Sequence, residues 1–434
     1  MIPLPYQLPA RDYLAANTRA GLFDEQGVGK TLPAVLAAMA LAPPQECAVL
    51  CPAIGRSMWN TVFREETGEE PGFCESYERY TVRSDRQAEL HDMAPKVLIL
   101  DEVHFLGSLD SQRTPLILGR HGIARRTPYV WPLTGTPLRG GIQGLYPLLA
   151  ALWPGELRKR NIFTFRAYLD RYLQWQDTKY GIKVWRERKE AMPEFQGLLD
   201  AISMRRLWKE VMPDCPPITW ENLVIDPAGM TPEIRALNDF AVLGTVLEVE
   251  LRNIEYNTPH MATTRRLIGE AKAPWSAQII ANELDAGIDK VFVGAYHTKV
   301  LDTLEAKLYK YGLVRIDGST SERKREYRMK EFQTNPNCRV LLGQVVATGT
   351  TITLTAAAMA HLVEPLWVPD DNAQWAKRIH RLGQGRPCFV RMHSLAGTID
   401  EPLGRVLLRK QQVNSAATGE AAPVITRKEA SMTE

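Results

Sequence analysis

Residues 21–34 read GLFDEQGVGKTLPA, a short apolar run followed by a glycine loop and the start of a helix. Glycine lets backbone N–H groups wrap a phosphate without Cβ collisions, and a helix N-terminus adds partial positive charge. In this P-loop-like context, Lys30 is placed to reach the β- and γ-phosphates and Thr31 to ligate Mg²⁺. Asp24 occupies the first position of the general pattern, where glycine is usual. A glycine turn before a core helix is therefore the alternative.

A second apolar run ends in two adjacent carboxylates. Residues 96–104 read KVLILDEVH, and open α/β sheets bind ligands at the carboxyl ends of their strands. Asp101 is placed to hold Mg²⁺, and Glu102 to orient and deprotonate a water that attacks the γ-phosphate. An Asp-Glu turn is common on protein surfaces. Here it follows a buried strand, 71 positions after Lys30, and the two motifs together predict an ATPase.

Short apolar runs alternate with helical stretches in two blocks, about 21–150 and 291–392. Continuous Val/Ile/Leu runs separated by helices indicate strands buried on both faces, and hence doubly wound parallel sheets. We therefore expect two α/β domains. The expected strands are Ala48–Cys51, Val97–Leu100, Val130–Leu133, Val291–Val293, Val314–Ile316, Val340–Leu342, His361–Val363 and Phe389–Arg391.

The domain boundaries follow from breaks in this pattern. We expect a first domain over residues 1–226, with a helical insertion at about 153–220. The second domain covers 227–410 and begins with a helical lead-in to about 285. Residues 411–434 show no periodicity and predict a disordered tail.

Composition narrows the class of protein. With 45% hydrophobic and 24% charged residues, the chain is neither disordered, collagen-like nor disulfide-stapled. Its longest apolar stretch, Leu32–Ala42, is too short to span a bilayer, and its N-terminus lacks a secretory signal. We therefore expect a cytoplasmic protein without a membrane partner. The net charge of +3 means that any surface for nucleic acid is local.

The order of the motifs resembles the Swi/Snf-like branch of superfamily-two helicases, which are DNA-dependent ATPases, from Leu4 to about Lys410. Residues 4–7 resemble the L-x-P-Y-Q element, in which Gln7 would read adenine, and residues 24–31 resemble D-E-x-G-x-G-K-T, which accounts for Asp24. The resemblance implies two RecA-like domains that bind ATP and Mg²⁺. It assigns nucleotide contacts to Tyr6, Gln7, Asp24, Gln26, Gly27, Val28, Gly29, Lys30, Thr31, Asp101, Gly349 and Gln374.

Three further motifs of the first block match the family. Residues 49–52 resemble the next motif, which places Pro52 at DNA, and residues 101–104 form the D-E-x-H box. Residues 133–138 read LTGTPL and resemble the segment that couples nucleotide state to DNA contact. The coupling residues that the resemblance implies are His104, Thr134, Gly135 and Thr136.

The second block carries the branch's signature. Residues 374–384 read QWAKRIHRLGQ and resemble Q-x-x-x-R-x-H-R-x-G-Q. Arg378 and Arg381 lie three apart and would share one face of a helix, and the resemblance implies that both reach the γ-phosphate as arginine fingers. A solvated basic helix face is the alternative. Residues 317–320 and 364–369 resemble the D-G-x-T and W-N-P segments, the latter with Trp367 at DNA.

Several positions depart from the family pattern. The glycine-rich stretch that contacts DNA carries Thr350 and Thr351, and Thr351 stands where many relatives have glycine. Val368 replaces the usual Asn, and residues 65–94 do not align with the expected intermediate motif. We see no room for a chromatin-reader domain before Tyr6 or after Lys410, and so do not expect a nucleosome remodeller.

Three segments are candidates for DNA contact. Residues 153–220 hold 13 Lys/Arg against nine Asp/Glu with eleven aromatic residues, a mixture that suits phosphate contact and stacking. The helical spacing of Phe165, Tyr168 and Tyr172 nevertheless favours core. Residues 204–207 resemble the L-R-R element, whose Arg205 and Arg206 either bind DNA or brace the lobes. The basic residues between 323 and 330 are either a solvated helix face or a DNA contact.

Taken together, these patterns predict an ATP-driven translocase on double-stranded DNA. The alternatives are a strand-separating or annealing helicase at forked DNA, and a nucleotide-gated DNA-binding recruitment module with little turnover. We expect a monomer of bacterial or phage origin, whose substrate choice comes either from its two domains and the insertion or from a separate recruiting protein.

Overall fold

The structure, a computed structural model, describes residues 2–139, 141–178, 181–213, 218–227, 259–348, 352–381, 383–417 and 424–432. The chain divides into a first unit, Met1–Val211, and a second unit, Met212–Glu434. Each unit is built around one parallel sheet. This confirms the predicted α/β fold class with two parallel-sheet domains.

The first sheet has six strands in the order β3-β2-β4-β5-β1-β8, with all neighbours parallel. Its strands are β1 Gly21–Leu22, β2 Cys47–Cys51, β3 Phe73–Ser76, β4 Val97–Asp101, β5 Tyr129–Leu133 and β8 Ser203–Met204. Leu133 pairs with both Leu22 and Asp101. The loops that follow β1, β4 and β5 therefore begin at the same edge of the sheet.

Helices cover both faces of this sheet. Successive residues of β2 and β4 point alternately into two separate apolar clusters, with Leu50 and Leu98 in one and Val49 and Ile99 in the other, which is why these strands read as unbroken apolar runs. The helices are Gln7–Ala16, Thr31–Met39, Gly55–Thr67, Tyr77–Val82, Ser84–Met93, Arg113–Leu118, Ile123–Arg126, Tyr146–Leu152, Pro154–Lys159, Phe165–Tyr172, Met192–Ile202 and Trp208–Val211.

The insertion is less helical than expected. An antiparallel hairpin of β6 (Leu173–Thr178) and β7 (Gly181–Glu187) follows the helix Phe165–Tyr172. Glycine at position 181 has a φ of 109°, a conformation that favours glycine and suits a hairpin turn. Tyr168 and Tyr172 are fully buried, with ring centroids 5.1 Å apart, which confirms their interpretation as core.

The second sheet has seven parallel strands in the order β11-β12-β10-β13-β14-β9-β15. They are β9 Ile218–Pro227, β10 Val291–Ala295, β11 Leu313–Ile316, β12 Val340–Gln344, β13 Met359–Leu362, β14 Cys388–Leu395 and β15 Val424–Met432. Helices at Pro259–Asp285, Thr298–Leu308, Glu322–Thr334, Val345–Thr348, Pro369–Ala376 and Asp400–Ala417 accompany them. None of the helices in the described part of the chain has both the length and the apolar character of a membrane span.

The unit boundary and the tail differ from expectation. The division falls after Val211, ahead of the expected junction at 226/227, because β9 pairs with β14 over eight residues and so belongs to the second sheet. Residues 411–417 continue the last helix, and β15 lies within the segment expected to be disordered. Because Glu221 and Asn222 are polar, β9 lacks the continuous apolar run from which strands were predicted.

A buried polar network ties the inner strands of the second sheet to its longest helix. The rings of His361 and His393 approach to 3.1 Å between Nδ1 and Nε2, and His393 Nδ1 lies 2.9 Å from Ser276 Oγ. Lys272 donates to the carbonyl oxygen of His393 at 2.8 Å and pairs with Asp400. We refer to these five residues as the histidine network.

Candidate active site

The glycine loop after β1 has the backbone of a phosphate cradle. Gly27 and Gly29 each have a φ of 90°, which side chains on L-residues disfavour. The Lys30 ammonium donates to the carbonyl oxygen of Asp24 at 3.0 Å, so the lysine folds back over the loop. The side-chain Nε2 of Gln26 is buried and has no hydrogen-bond partner among the described residues. A buried donor left unsatisfied is costly, and an anionic oxygen in the loop would satisfy it.

Charge is concentrated where this loop faces the end of β4. Burial lowers the pKa of Lys30, while the negative charges of Glu102, Asp24 and Asp101 oppose that shift. Burial, reinforced by the neighbouring Glu102 carboxylate, raises the pKa of Asp101 to about 6. A cation beside Asp101 would stabilise its charged form.

Asp101 is held rigidly at the end of its strand. The indole of Trp59 donates to its Oδ2 at 2.9 Å, and the backbone N–H of Glu102 donates to Oδ1 at 3.0 Å. The Tyr77 hydroxyl donates to its backbone carbonyl at 2.7 Å. The first two bonds orient the carboxylate, and the third holds the backbone that carries it.

Glu102 adopts a left-handed backbone conformation, with φ 48° and ψ 51°. Non-glycine residues in this region are strained and cluster at functional sites. The Thr134 hydroxyl donates to Glu102 Oε2 at 3.2 Å, and His104 Nδ1 lies 3.3 Å from the same oxygen. The structure thus brings two of the expected coupling residues onto the expected general base.

Gly135 and Thr136 complete this contact between loops. A Cβ atom on Gly135 would lie 2.2 Å from Gln26 Cγ and 3.1 Å from its backbone nitrogen, so only glycine allows this approach. The backbone N–H of Thr136 donates to Thr134 Oγ1 at 3.1 Å. The LTGTPL segment therefore packs directly on the glycine loop.

The N-terminal segment supports the loop from its other side. The Tyr6 hydroxyl donates to the carbonyl of Val28 at 2.8 Å, and Gln7 Nε2 donates to that of Gly29 at 3.0 Å. Gln7 Oε1 in turn accepts from the backbone of Leu4 at 2.9 Å. Here both polar atoms of the Gln7 amide contact the protein; its reading of adenine stays a prediction.

Arg205 and Arg206 lie against the glycine loop, and their contact with DNA stays a prediction. Arg206 pairs with the fully buried Asp24, donates to the carbonyl of Tyr6 and stacks over the Tyr6 ring. Arg205 donates to the carbonyl of Phe23. Because these guanidinium groups neutralise and fix the loop, Asp24 is an ion-pair partner for an arginine 182 positions away.

The residues present fit MgATP. The glycine backbone, Lys30 and the orphaned Gln26 Nε2 suit phosphate oxygens, and Asp101 suits a cation. No cluster of three or more His, Cys, Asp or Glu that could hold a metal occurs within the described ranges. Mg²⁺ usually takes only one or two carboxylates and completes its shell with phosphates and water. Thr31 and Asp101 are the residues that would hold it.

In the second unit, Gln374 lies on the helix Pro369–Ala376, which ends before the two arginines. Residues 377–379 continue as hydrogen-bonded turns, so Arg378 and Arg381 do not share a helix face as expected. Arg378 is 3% exposed, whereas Arg381 is partly exposed and donates to Thr353 Oγ1 at 3.2 Å. Burial of Arg378 argues against the solvated-face alternative for that residue.

The remaining candidates for DNA contact differ in their surroundings. Pro52 is buried, and its carbonyl accepts from Gly55 at 2.7 Å. Trp367 is partly buried, 5.8 Å from the guanidinium of Arg265. Gly349, Thr350 and Thr351 lie outside the described residues.

The basic segment between 323 and 330 lies on the helix Glu322–Thr334. Arg325 donates to the carbonyl of Ala347 at 3.0 Å and Arg328 to that of Arg315. Arg323, Lys324 and Lys330 are exposed. Two of the five cations thus stabilise the unit, and the other three keep both interpretations open.

Two functional neighbours escaped sequence reasoning. Tyr77 lies in the segment that did not align with any expected motif, although its hydroxyl supports Asp101. Arg139 follows the LTGTPL motif directly, and its NH1 lies 2.8 Å from His104 Nε2. The signal available for Arg139 was its position, one residue beyond a motif that packs on the site.

Comparison with known families accounts for this arrangement. The SNF2-related domain matches residues 73–236, and the helicase conserved C-terminal domain matches residues 275–383. The chain belongs to the Swi/Snf-like branch of superfamily-two helicases. Nine of the thirteen strands in the two sheets of this Swi/Snf-like chain lie within the matched regions, whereas β1, β2, β14 and β15 lie outside them.

Curated relatives extend the likeness along almost the whole chain. The mouse DNA annealing helicase and endonuclease ZRANB3 is 26% identical over 95% of this chain and 40% of its own length. The Xenopus laevis SWI/SNF-related matrix-associated actin-dependent regulator of chromatin subfamily A-like protein 1 is 26% identical over 94% and 43%. The Swi/Snf-like chain thus spans about two fifths of the length of these relatives.

Among solved structures, the Sulfolobus solfataricus SWI2/SNF2 ATPase core in complex with dsDNA aligns with 96% of this chain and 93% of that chain. Its sequence identity is 17% and its TM-score 0.41. The fold assignment therefore rests on the two parallel sheets and the family matches.

Proposed function

We propose that this protein hydrolyses ATP to move along double-stranded DNA. The observation that carries the proposal is the convergence of Lys30, Asp101 and Glu102 at one sheet edge, beside a glycine loop with an unsatisfied buried donor. These charged groups and the unsatisfied donor suit a bound triphosphate. Membership of a helicase family supports the coupling of hydrolysis to nucleic acid.

In this proposal each group has one task. Lys30 and the N–H groups of the glycine loop hold the phosphates. Thr31 and Asp101 hold Mg²⁺, which supplies charge neutralisation at the phosphates when bound. Glu102 takes a proton from water as the water oxygen bonds to the γ-phosphorus and the bond to the ADP oxygen breaks.

Arg378 and Arg381 of the second unit are the proposed arginine fingers, and Gln374 is a proposed nucleotide contact. A guanidinium fork suits the charge that develops on a transferred phosphoryl group. Arg381→Ala should lower turnover by about 10³-fold or more while sparing ATP binding. Equal loss of binding and turnover would argue against its role as a finger.

The insertion supports DNA as the partner. Residues 154–189 carry ten Lys/Arg against four Asp/Glu, a local excess of six positive charges in a chain with a net +3. Trp185 on β7 and Phe163 before the helix Phe165–Tyr172 are 48% and 69% exposed. Cations that neutralise phosphates and aromatic rings that stack on bases are the usual components of such surfaces.

The decisive experiment measures ATP turnover with and without duplex DNA. Lys30→Ala and Glu102→Gln should each reduce DNA-stimulated turnover by about 10²-fold or more. Lys96→Ala, which removes an exposed lysine just before β4, is the matched control and should turn over normally. Retention of full activity by Lys30→Ala or Glu102→Gln would refute the site assignment.

A second candidate is a helicase that anneals or separates strands at forked DNA, favoured by the likeness to the DNA annealing helicase and endonuclease ZRANB3. Triplex displacement from plain duplex reports translocation, whereas displacement or annealing on forked substrates reports the alternative. Activity on forks without triplex displacement would replace translocation with the fork-acting function. A recruitment module would instead bind DNA in a nucleotide-dependent manner with negligible turnover.

A further inference from the structure

Arg139 makes a contact that determines where the proton of His104 lies. Its NH1 is 2.8 Å from His104 Nε2, and a guanidinium has donors only. Nε2 must therefore be the unprotonated, accepting nitrogen. The imidazole is the neutral tautomer with its proton on Nδ1.

That proton points toward the catalytic side of the ring. Nδ1 lies 3.0 Å from Thr134 Oγ1, 3.3 Å from Thr136 Oγ1 and 3.3 Å from Glu102 Oε2, so the Thr134 hydroxyl is the nearest acceptor of the three. A threonine hydroxyl can accept two hydrogen bonds and donate one. Thr134 Oγ1 accepts from His104 Nδ1 and from the backbone N–H of Thr136 at 3.1 Å, which fills both acceptor positions.

The hydroxyl proton of Thr134 then has one remaining direction, toward Glu102 Oε2 at 3.2 Å. The four side chains form a chain of donors that runs from Arg139 through His104 and Thr134 to Glu102. Thr134 is fully buried and the His104 side chain only 3% exposed, so water has little access to replace a missing member. One oxygen of Glu102 is thereby fixed.

Removal of Arg139 would allow the hydrogen bonds of His104 and Thr134 to reverse direction. His104 could then carry its proton on Nε2, and its bare Nδ1 would accept the Thr134 hydroxyl. The same hydroxyl would turn away from Glu102, which would lose its bond to Thr134. The two arrangements thus differ in the His104 tautomer, in the direction of the His104–Thr134 hydrogen bond and in whether Thr134 donates to Glu102.

We propose that Arg139 is a positioning residue for ATP hydrolysis, which sets the His104 tautomer and through Thr134 holds Glu102 toward the attacking water. The inference rests on the proposed function. Arg139 also lies 5.3 Å from the Phe105 ring centroid, so a packing role must be separated from the hydrogen-bond role. Arg113 stacks on the same ring at 5.9 Å and provides the matched control.

The test compares steady-state ATP turnover of Arg139→Met, Arg139→Lys and Arg113→Met with that of the wild type. We expect Arg139→Met to lower kcat by about tenfold with KM for ATP unchanged. Arg139→Lys also offers only donors and should recover most of the loss. Arg113→Met should behave as wild type.

A double-mutant cycle with Thr134→Val adds a readout that packing would not affect. Once the hydroxyl is absent, Arg139→Met should cost little more, because both act through the same bond. Histidine ¹⁵N spectra, assigned with His104→Gln, should show Nδ1–H in the wild type and a population of Nε2–H in Arg139→Met. This measurement does not require ATP turnover.

Any one of four results would overturn the inference. These are a wild-type kcat in Arg139→Met, equal losses of kcat in Arg139→Met and Arg113→Met, full additivity of Arg139→Met with Thr134→Val, and an unchanged His104 tautomer in Arg139→Met. These failures are distinguishable from failure of the proposed function. If only the role of Arg139 is wrong, Glu102→Gln remains inactive while Arg139→Met is normal. If the proposed function is wrong, Glu102→Gln itself turns over ATP as the wild type does.

Discussion

The two units differ in the surroundings of the buried polar groups that lack hydrogen-bond partners. In the second unit, Lys272 of the histidine network bonds to the Asp400 carboxylate and the His393 carbonyl. His361 Nε2 has no hydrogen-bond partner among the described residues and lies 3.0 Å from Glu283 Oε2. In the first unit, Gln26 Nε2 is buried and has no partner among the described residues, half-buried Asp101 lies beside another carboxylate, and Glu102 is strained. Since buried polar groups are normally satisfied, the unsatisfied Gln26 donor beside the charged end of β4 indicates a ligand site. The histidine network, whose unsatisfied His361 nitrogen faces the Glu283 carboxylate of the same unit, indicates a structural tie.

Removal of one cation from each unit should give the largest effect. Arg206→Met leaves Asp24 buried without its partner, and Lys272→Met does the same to Asp400. Each should reduce the free energy of unfolding by about 3–5 kcal/mol. Only Arg206→Met should also weaken ATP binding, because its partner lies in the glycine loop. Urea unfolding combined with ATP titration measures both, and normal ATP affinity in Arg206→Met would contradict the distinction.

Acid should weaken the second sheet selectively. Burial lowers the pKa of His361 from 6.5 to about 3 and that of His393 well below its ordinary value. The unfolded chain therefore binds more protons below pH 6.5, and stability is lost as pH falls, by up to ~1.4 kcal/mol per pH unit for each histidine.

Protonation of Asp101 has the opposite effect on stability as pH falls. Its pKa of about 6 lies above the ordinary 3.8, so the folded first unit binds the extra proton between these values and gains stability there. Hydrogen exchange at pH 5 and pH 7 should show faster opening at pH 5 for residues 359–362 and 388–395. Equal acceleration in residues 97–101 would remove the contrast.

Gly135→Ala should damage the first unit by overpacking. The new Cβ would meet Gln26 at 2.2 Å, and such insertions cost about 1–3 kcal/mol. Gly197→Ala is the control, because its Cβ would meet nothing within 4 Å and its helix should gain up to ~1 kcal/mol. Thermal unfolding and ATP affinity check both variants. Equal unfolding temperatures and ATP affinities in the two variants would show that the glycine loop and the LTGTPL segment can move apart without cost.

The smallest expected effect concerns Mg²⁺. Because Asp101 must lose its proton to bind a cation, Mg²⁺-dependent ATP binding should weaken toward a limit of about tenfold per pH unit below pH 6. Asp101→Asn should bind weakly at all pH values and lack this dependence. Calorimetry of both proteins between pH 5 and pH 7 separates the Asp101 contribution from titration of the nucleotide itself.

The sequence predicted what is local and missed what is long-range. Lys30, Asp101 and Glu102 were found because each follows an apolar strand whose end fixes its place in the sheet. The Asp24–Arg206 pair and the Arg139–His104 contact join distant positions that no periodicity connects. The helix expected to carry Arg378 and Arg381 ends at Ala376, because helix ends depend on tertiary surroundings more than on residue spacing.

The strand β9 has a consequence for synthesis on the ribosome. All strands of the first sheet are complete by Met204, whereas β9 pairs with strands that begin only at Cys388 and Val424. Pairings so far apart in sequence form slowly. The first sheet can therefore form while translation continues, but β9 must wait with both edges open until nearly the whole chain has emerged, which is the interval in which chaperone protection matters most.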